Sequence, residues 1–232
     1  MCYDSLALSS KNIYTGNMKS EPSPTPARPY HHGDLKRALV LAGIDLLETQ
    51  GLPGISLRAI AAVVGVSHTA PKNHFGSLRG LLTAIAVEGF HRHTAFMRHG
   101  VDAASSQKAR QLAALEGYTG FAMTHPHLFE MMFSPLYCDY ENADLQRAAA
   151  ASYGVLADIS VGLNWDKATA PDGQRRTEVM LWSLVHGYAK LRLAGQFSDG
   201  TPAGAPFDIA AIMPDFGYEP NSEPTGIGLK TL

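Results

Sequence analysis

A chain of 232 residues, 45% hydrophobic and 17% charged, has the composition of a soluble globular protein and can hold one large core or two modest ones. Its longest apolar runs, 59–66 and 81–87, are too short to cross a membrane, no export signal opens the chain, and two cysteines, Cys2 and Cys138, argue against a disulfide framework or a cysteine metal cluster, so a cytoplasmic protein is expected. The net charge of −2 hides an asymmetry: residues 28–98 carry eight Lys/Arg against four Asp/Glu (+4) and six of the ten histidines, whereas 99–232 carry nine against fifteen (−6), so one end is suited to a polyanion, although solvated faces can give +4 by chance.

Residues 1–29 include "EPSPTPARP" and show no apolar period, which predicts a disordered leader. The stretch "HGDLKRALVLAGIDLLETQG" that follows puts Leu35, Leu39, Ala42, Leu46 and Leu47 at helical spacing, with Asp34 placed to cap the start and Gly51 to end it. A second helix opens on Ser56 as N-cap, carries Leu57, Ile60, Ala61 and Val64 on one face, and stops at Gly65, a residue that enters the left-handed region without strain. The segment "GVSHTAPKNHFGSL" then predicts a third helix capped by Ser67, starting at His68 and carrying Pro71 in its first turn, where a missing N–H does little harm. Two such helices joined by a tight glycine turn read as a helix-turn-helix. The third is built from poor helix formers, with Ala70, Pro71 and Phe75 fit to pack inward. Its other side chains suit a groove: Thr69 and Ala70 permit close approach, Lys72, Asn73 and His74 offer donors, and Ser67 and His68 join them as candidate DNA contacts.

A fourth helix is predicted from after Ser77 to about His99, with Leu78, Leu81, Leu82, Ile85, Val87, Phe90 and Met97 as its apolar positions, and its length suggests a strut. Further helices are expected over 107–124, 126–133, 144–162 and 174–195, with a short one over 207–213, and no segment alternates as a strand. The expected fold is therefore all-α, with a leader at 1–29, a helix-turn-helix domain at 30–80, a helical ligand-binding and dimerisation domain at 81–214 and a loose tail at 215–232. The carboxy-terminal half is rich in large soft apolar groups, most of which must be plain core. Candidates for a pocket are Phe121, Phe129, Met132, Phe133, Tyr153, Trp182 and His186, the last two four residues apart and so on one helix face. Gly187 beside His186 suits a dimer interface equally well. The pairs His91/His93 and His125/His127 are two apart, which turns the rings to different faces, so no metal is expected, nor any cofactor.

Residues 31–51 together with "SLRAIAAVVGVSHTAPKNHFGSLRGLLTAI" at 56–85 resemble the DNA-binding domain of the tetracycline-repressor (TetR) family of bacterial transcription regulators. "SLVHGYAKLRLAG" at 183–195, preceded by Trp182, further resembles the Trp-His-Gly ligand-binding domain of one branch of that family. The resemblance implies a homodimer whose recognition helices enter successive major grooves of a palindromic double-stranded operator and whose DNA binding a small molecule in the carboxy-terminal domain weakens; a hydrophobic or amphipathic effector is expected. By position, Arg58 would reach a base edge, Ala70 would stand where Thr is frequent, Lys72 where a phosphate-contacting Tyr is usual, and His74 where His is usual. Leu78 replaces a frequent Lys, with Arg79 following. Two rivals stay open: a DNA-independent dimeric adaptor, and an enzyme using the carboxy-terminal pocket, for which no nucleophile-elbow, phosphate-loop or dinucleotide motif is present.

Overall fold

The computed structural model describes residues 32–163, 165, 172–198, 200–205 and 207–216, so the predicted leader, most of the predicted tail and His31 lie outside the described residues. Eight α-helices follow in chain order: α1 (His32–Gln50), α2 (Leu57–Val64), α3 (Ala70–Phe75), α4 (Leu78–Arg98), α5 (Gln107–Thr124), α6 (Pro126–Met132), α7 (Ala143–Ile159) and α8 (Gly173–Leu193). Two 3-10 turns, Leu52–Gly54 and Ile209–Ile212, complete the regular structure, and no strand occurs among the described residues.

Local chemistry sets the helix-turn-helix. Ser56 Oγ accepts the Ala59 N–H at 3.0 Å and so caps α2. At its other end Gly65 sits at φ 73°, its N–H reaching Ala62 O while the Val66 N–H reaches Ala61 O, a Schellman closure. The third helix begins two residues later than the sequence predicts. Ser67 Oγ lies 2.7 Å from Thr69 Oγ1 and caps no amide, Ser67 O accepts the Ala70 N–H in a turn, and Thr69 occupies the cap position. Pro71 is therefore the second helical residue, where its absent N–H was unpaired in any case. Asp34 is likewise not a cap: the backbone is already helical at His32, which places position 34 inside the first turn. Helices α7 and α8 end at Ile159 and Leu193, short of the predicted 162 and 195, because Gly162 and Gly195 lie beyond the helices at φ 75° and 67°.

Gly80 decides how α3 meets α4. A Cβ at that position would stand 2.1 Å from the Phe75 carbonyl oxygen, so only glycine lets the end of α3 cross the first turn of α4, which Ser77 caps by accepting the Gly80 N–H at 3.0 Å. Helix α4 packs against α1, α3, α5, α6 and α7 and is the axis of the molecule. Leu81, Ile85, Phe90 and Met97 on it are at most 3% exposed, and each such side chain removed from water stabilises the fold by about 1.5–3 kcal/mol. A continuous core runs from Leu39, Leu47 and Ile60 in the amino-terminal helices to Leu181 and Val185 on α8 and Ile209 in the last turn.

Candidate nucleic-acid interface and ligand cavity

On the helix-turn-helix, the apolar positions turn inward and the hydrogen-bonding ones turn out. Arg58, the second residue of α2, is exposed, as are Ser67, His68 and Thr69 in the turn and Lys72 and Asn73 on α3. Ala70 and His74 are half-buried and Pro71 is buried. Lys36 Nζ sits 5.9 Å over the Phe75 ring and holds the end of α3 against α1. Arg79, the cation nearest the position where a phosphate-contacting Lys is frequent, donates from Nη2 to Cys138 O at 3.0 Å.

In the carboxy-terminal half, α4, α5, α7, α8 and the segment after α6 line a cavity of about 670 Å³ that opens to the surface. Helix α4 contributes Phe90 and His93, α5 Tyr118, and the segment after α6 Phe133, Pro135 and Tyr140. Helix α7 adds Ala149, Ala150, Ser152, Tyr153 and Leu156, and α8 adds Trp182 and His186. The lining holds no Lys, Arg, Asp or Glu. Volume and apolar walls are those of a site for a drug-sized organic molecule.

Two imidazoles set its polarity. His93 is 1% exposed, its Nδ1 is 2.7 Å from Ser152 Oγ, and rings of Tyr118, Phe121 and Phe133 surround it at centroid distances of 4.4, 5.1 and 6.0 Å. Burial, with the charge of His186 adding to it, holds its pKa down to about 3, so the ring is neutral. His186 Nδ1 is 2.8 Å from the Tyr118 hydroxyl, and burial, then Lys190, lowers its pKa as well. Burial raises the Tyr118 phenol. Tyr140, whose hydroxyl donates to Met132 O at 2.6 Å, is pushed up to about 12 by burial and by Cys138. Tyr153 donates to Glu178 Oε2 at 2.9 Å.

Three polar contacts join the cavity wall to the amino-terminal helices. Helix α6 has no local side-chain cap, and Glu48 of α1 accepts the Leu128 N–H at 2.9 Å in its place. Besides Arg79 on Cys138 O, the Asp139 N–H donates to Thr83 Oγ1 at 2.9 Å. Phe133, Pro135 and Tyr140 of the lining thus lie on a segment tied to α1 at one end and to α4 in its middle.

A family model described as the tetracyclin repressor-like C-terminal domain matches residues 112–212, the stretch that holds most of the cavity wall. The chain belongs to the tetracycline-repressor family. Being a member, it is a transcriptional regulator. A protein of unknown function from Rhodococcus sp. RHA1 is 32% identical with TM-score 0.65, over 80% of this chain and 94% of its own. SCO4313, described as a candidate regulatory protein, is 22% identical with TM-score 0.57 over 78% and 91%, and shares the fold. The TetR family transcriptional regulator PfmR from Thermus thermophilus is 19% identical with TM-score 0.46, over 68% and 94%. No curated protein matches the chain.

In this TetR-family chain, four of the seven pocket candidates, Phe133, Tyr153, Trp182 and His186, stand in the cavity wall. Phe121, Phe129 and Met132 do not: all three are 0% exposed and pack behind the wall, because aromatic and Met side chains fill core before they line a cavity. Sequence reading missed Phe90, His93, Tyr118, Pro135, Tyr140, Ser152 and Leu156, which come together only in three dimensions. Trp182 is 38% exposed while lining the cavity. His91 is exposed and His93 buried, on opposite sides of α4. Among the described residues no three His, Cys, Asp or Glu stand close enough to hold a metal ion.

Proposed function

We propose that the chain is a homodimeric repressor that binds a palindromic operator through α2 and α3 in the cytoplasm and is released when a small hydrophobic or amphipathic molecule enters the cavity. One observation carries the reading: an exposed set of hydrogen-bonding side chains on α2 and α3 packs on α1 and α4, and those two helices are tied by polar contacts to the segment that walls a drug-sized, mostly apolar cavity. Arg58 is the candidate for bidentate contact with guanine, Thr69 and Ala70 for close approach to base edges, and Ser67, His68, Lys72, Asn73 and His74 for phosphate or base contact.

Release needs an effector that prefers a state in which the two recognition helices are wrongly spaced for successive grooves. An effector that displaces Phe133 or Tyr140 would draw on Glu48 through the Leu128 amide and on α4 through Arg79 and Thr83. The dimer would form on the outer face of α8, where Val179 and Leu191 are 45% and 48% exposed and a Cβ at Gly187 would meet nothing within 4 Å. No described helix is long and apolar enough to cross a membrane.

DNase I footprinting of DNA flanking the protein's own gene tests this reading. Two protected half-sites about one or more helical turns apart, centre to centre, are expected. No protection at low salt would end the DNA-binding reading.

A further inference from the structure

His93 leaves one hydrogen-bonding atom unused. Its Nδ1 is engaged by Ser152 Oγ at 2.7 Å, while its Nε2 is buried and has no hydrogen-bond partner among the described residues. A buried polar nitrogen without a partner is unfavourable, and the few that native proteins keep call for an explanation. Here the nitrogen belongs to a ring that lines a mostly apolar cavity.

Which proton His93 carries follows from counting partners. Among the described residues the Ser152 hydroxyl makes no hydrogen bond other than the one to His93. If Nδ1 donated to Ser152 Oγ, the serine proton would lack an acceptor and Nε2 would lack a donor, leaving two orphans. If the serine hydroxyl donates to Nδ1, the only orphan is the Nε2–H group. The second arrangement wins, since it leaves one unmet buried group where the first leaves two.

We infer that the effector is a neutral, largely hydrocarbon molecule bearing a carbonyl, ether or hydroxyl oxygen that accepts a hydrogen bond from His93 Nε2. This rests on the cavity being the effector site, as proposed above. Neutrality follows from the lining, which offers no cation to an anion and no carboxylate to a cation, so a charged group would lose its hydration without a counter-charge. Phe90, Phe133 and Trp182 supply the apolar walls. His93 is a ligand-binding residue in this assignment, and Ser152 is a positioning residue that fixes the ring's tautomer.

Three naphthyl probes of similar size separate the terms: naphthalene, 2-acetylnaphthalene and 2-naphthoate, titrated by fluorescence into the full-length protein and into His93→Leu and His93→Gln. The ketone is expected to bind the wild type most tightly, to lose about three- to tenfold in His93→Leu, and to recover in His93→Gln, which restores a donor. Naphthalene should bind His93→Leu at least as well as the wild type, and naphthoate should bind the wild type worst. A readout that needs no variant is the infrared carbonyl stretch of bound 2-acetylnaphthalene, expected to lie below its position in hexane. Ketone binding unchanged in His93→Leu, a hexane-like carbonyl stretch, or naphthoate as the best ligand would each overturn the anchor while leaving the cavity reading intact. Saturable binding of none of the three would overturn both.

Discussion

Individual side chains carry the most direct consequences, and His93 is the first. Unfolded, its imidazole titrates near 6.5; folded, burial and His186 hold it at about 3. The unfolded chain therefore binds more protons between those values, so this residue's contribution to stability is intact above pH 6.5 and is lost as pH falls toward 3. The slope is about 1.4 kcal/mol per pH unit for one such group, and His186, also lowered, acts in the same direction. Urea midpoints from about pH 7.5 to about pH 4 should fall more steeply for the wild type than for His93→Gln. Parallel curves would mean that the ring is not held neutral. Arg58 and Lys72, both exposed, make a different prediction. Arg58→Ala should remove about 1–3 kcal/mol of discrimination at one base pair, and Lys72→Ala should weaken binding to all sequences alike; these roles would be refuted if selectivity profiles of the two variants coincided.

Among the elements, the contact of α1 with α6 is the joint on which regulation would turn. Glu48→Ala leaves the Leu128 amide without its acceptor, which should cost about 1 kcal/mol of stability and reduce the loss of DNA affinity caused by a saturating effector. An unaltered effector response in that variant would place the coupling elsewhere. Gly80→Ala is harsher, since the new methyl meets the Phe75 carbonyl; a lower melting temperature and loss of DNA binding are expected, and wild-type melting and binding would contradict the geometry.

The same scale explains what the sequence could reveal. Helix α2 was legible to the residue because a Ser cap and a left-handed Gly bound it, and both signals act over a few residues. The start of α3 was not, because Ser67 and Thr69 satisfy one another and the expected cap bond is never made. Cavity residues were half legible. Trp182 and His186 share a helix face, but Phe90 and His93 read as part of a strut, and only packing of α4 against α5 and α7 brings them to Tyr118 and Ser152. Residue type alone separated wall from core poorly, as Phe121, Phe129 and Met132 show.

For the whole molecule, a single core extends from the helix-turn-helix to α8, so a change in the cavity can reach the DNA face through packed structure. The outer face of α8 carries the dimer proposal. Sedimentation equilibrium should give twice the chain mass of 24.9 kDa, and Val179→Glu with Leu191→Glu should give the monomer and abolish tight operator binding. A wild type that sediments as a monomer at micromolar concentration would remove the dimer from the account. The measurement closest to the central claim is the affinity of the full-length protein for its own promoter DNA and for a scrambled duplex, by fluorescence anisotropy across a salt series, beside the Arg58→Ala/Lys72→Ala variant. The account predicts a clear preference for promoter DNA, lost in the variant, and a salt slope about one unit shallower once Lys72 is gone. Equal affinity for both duplexes, unchanged in the variant, would contradict it.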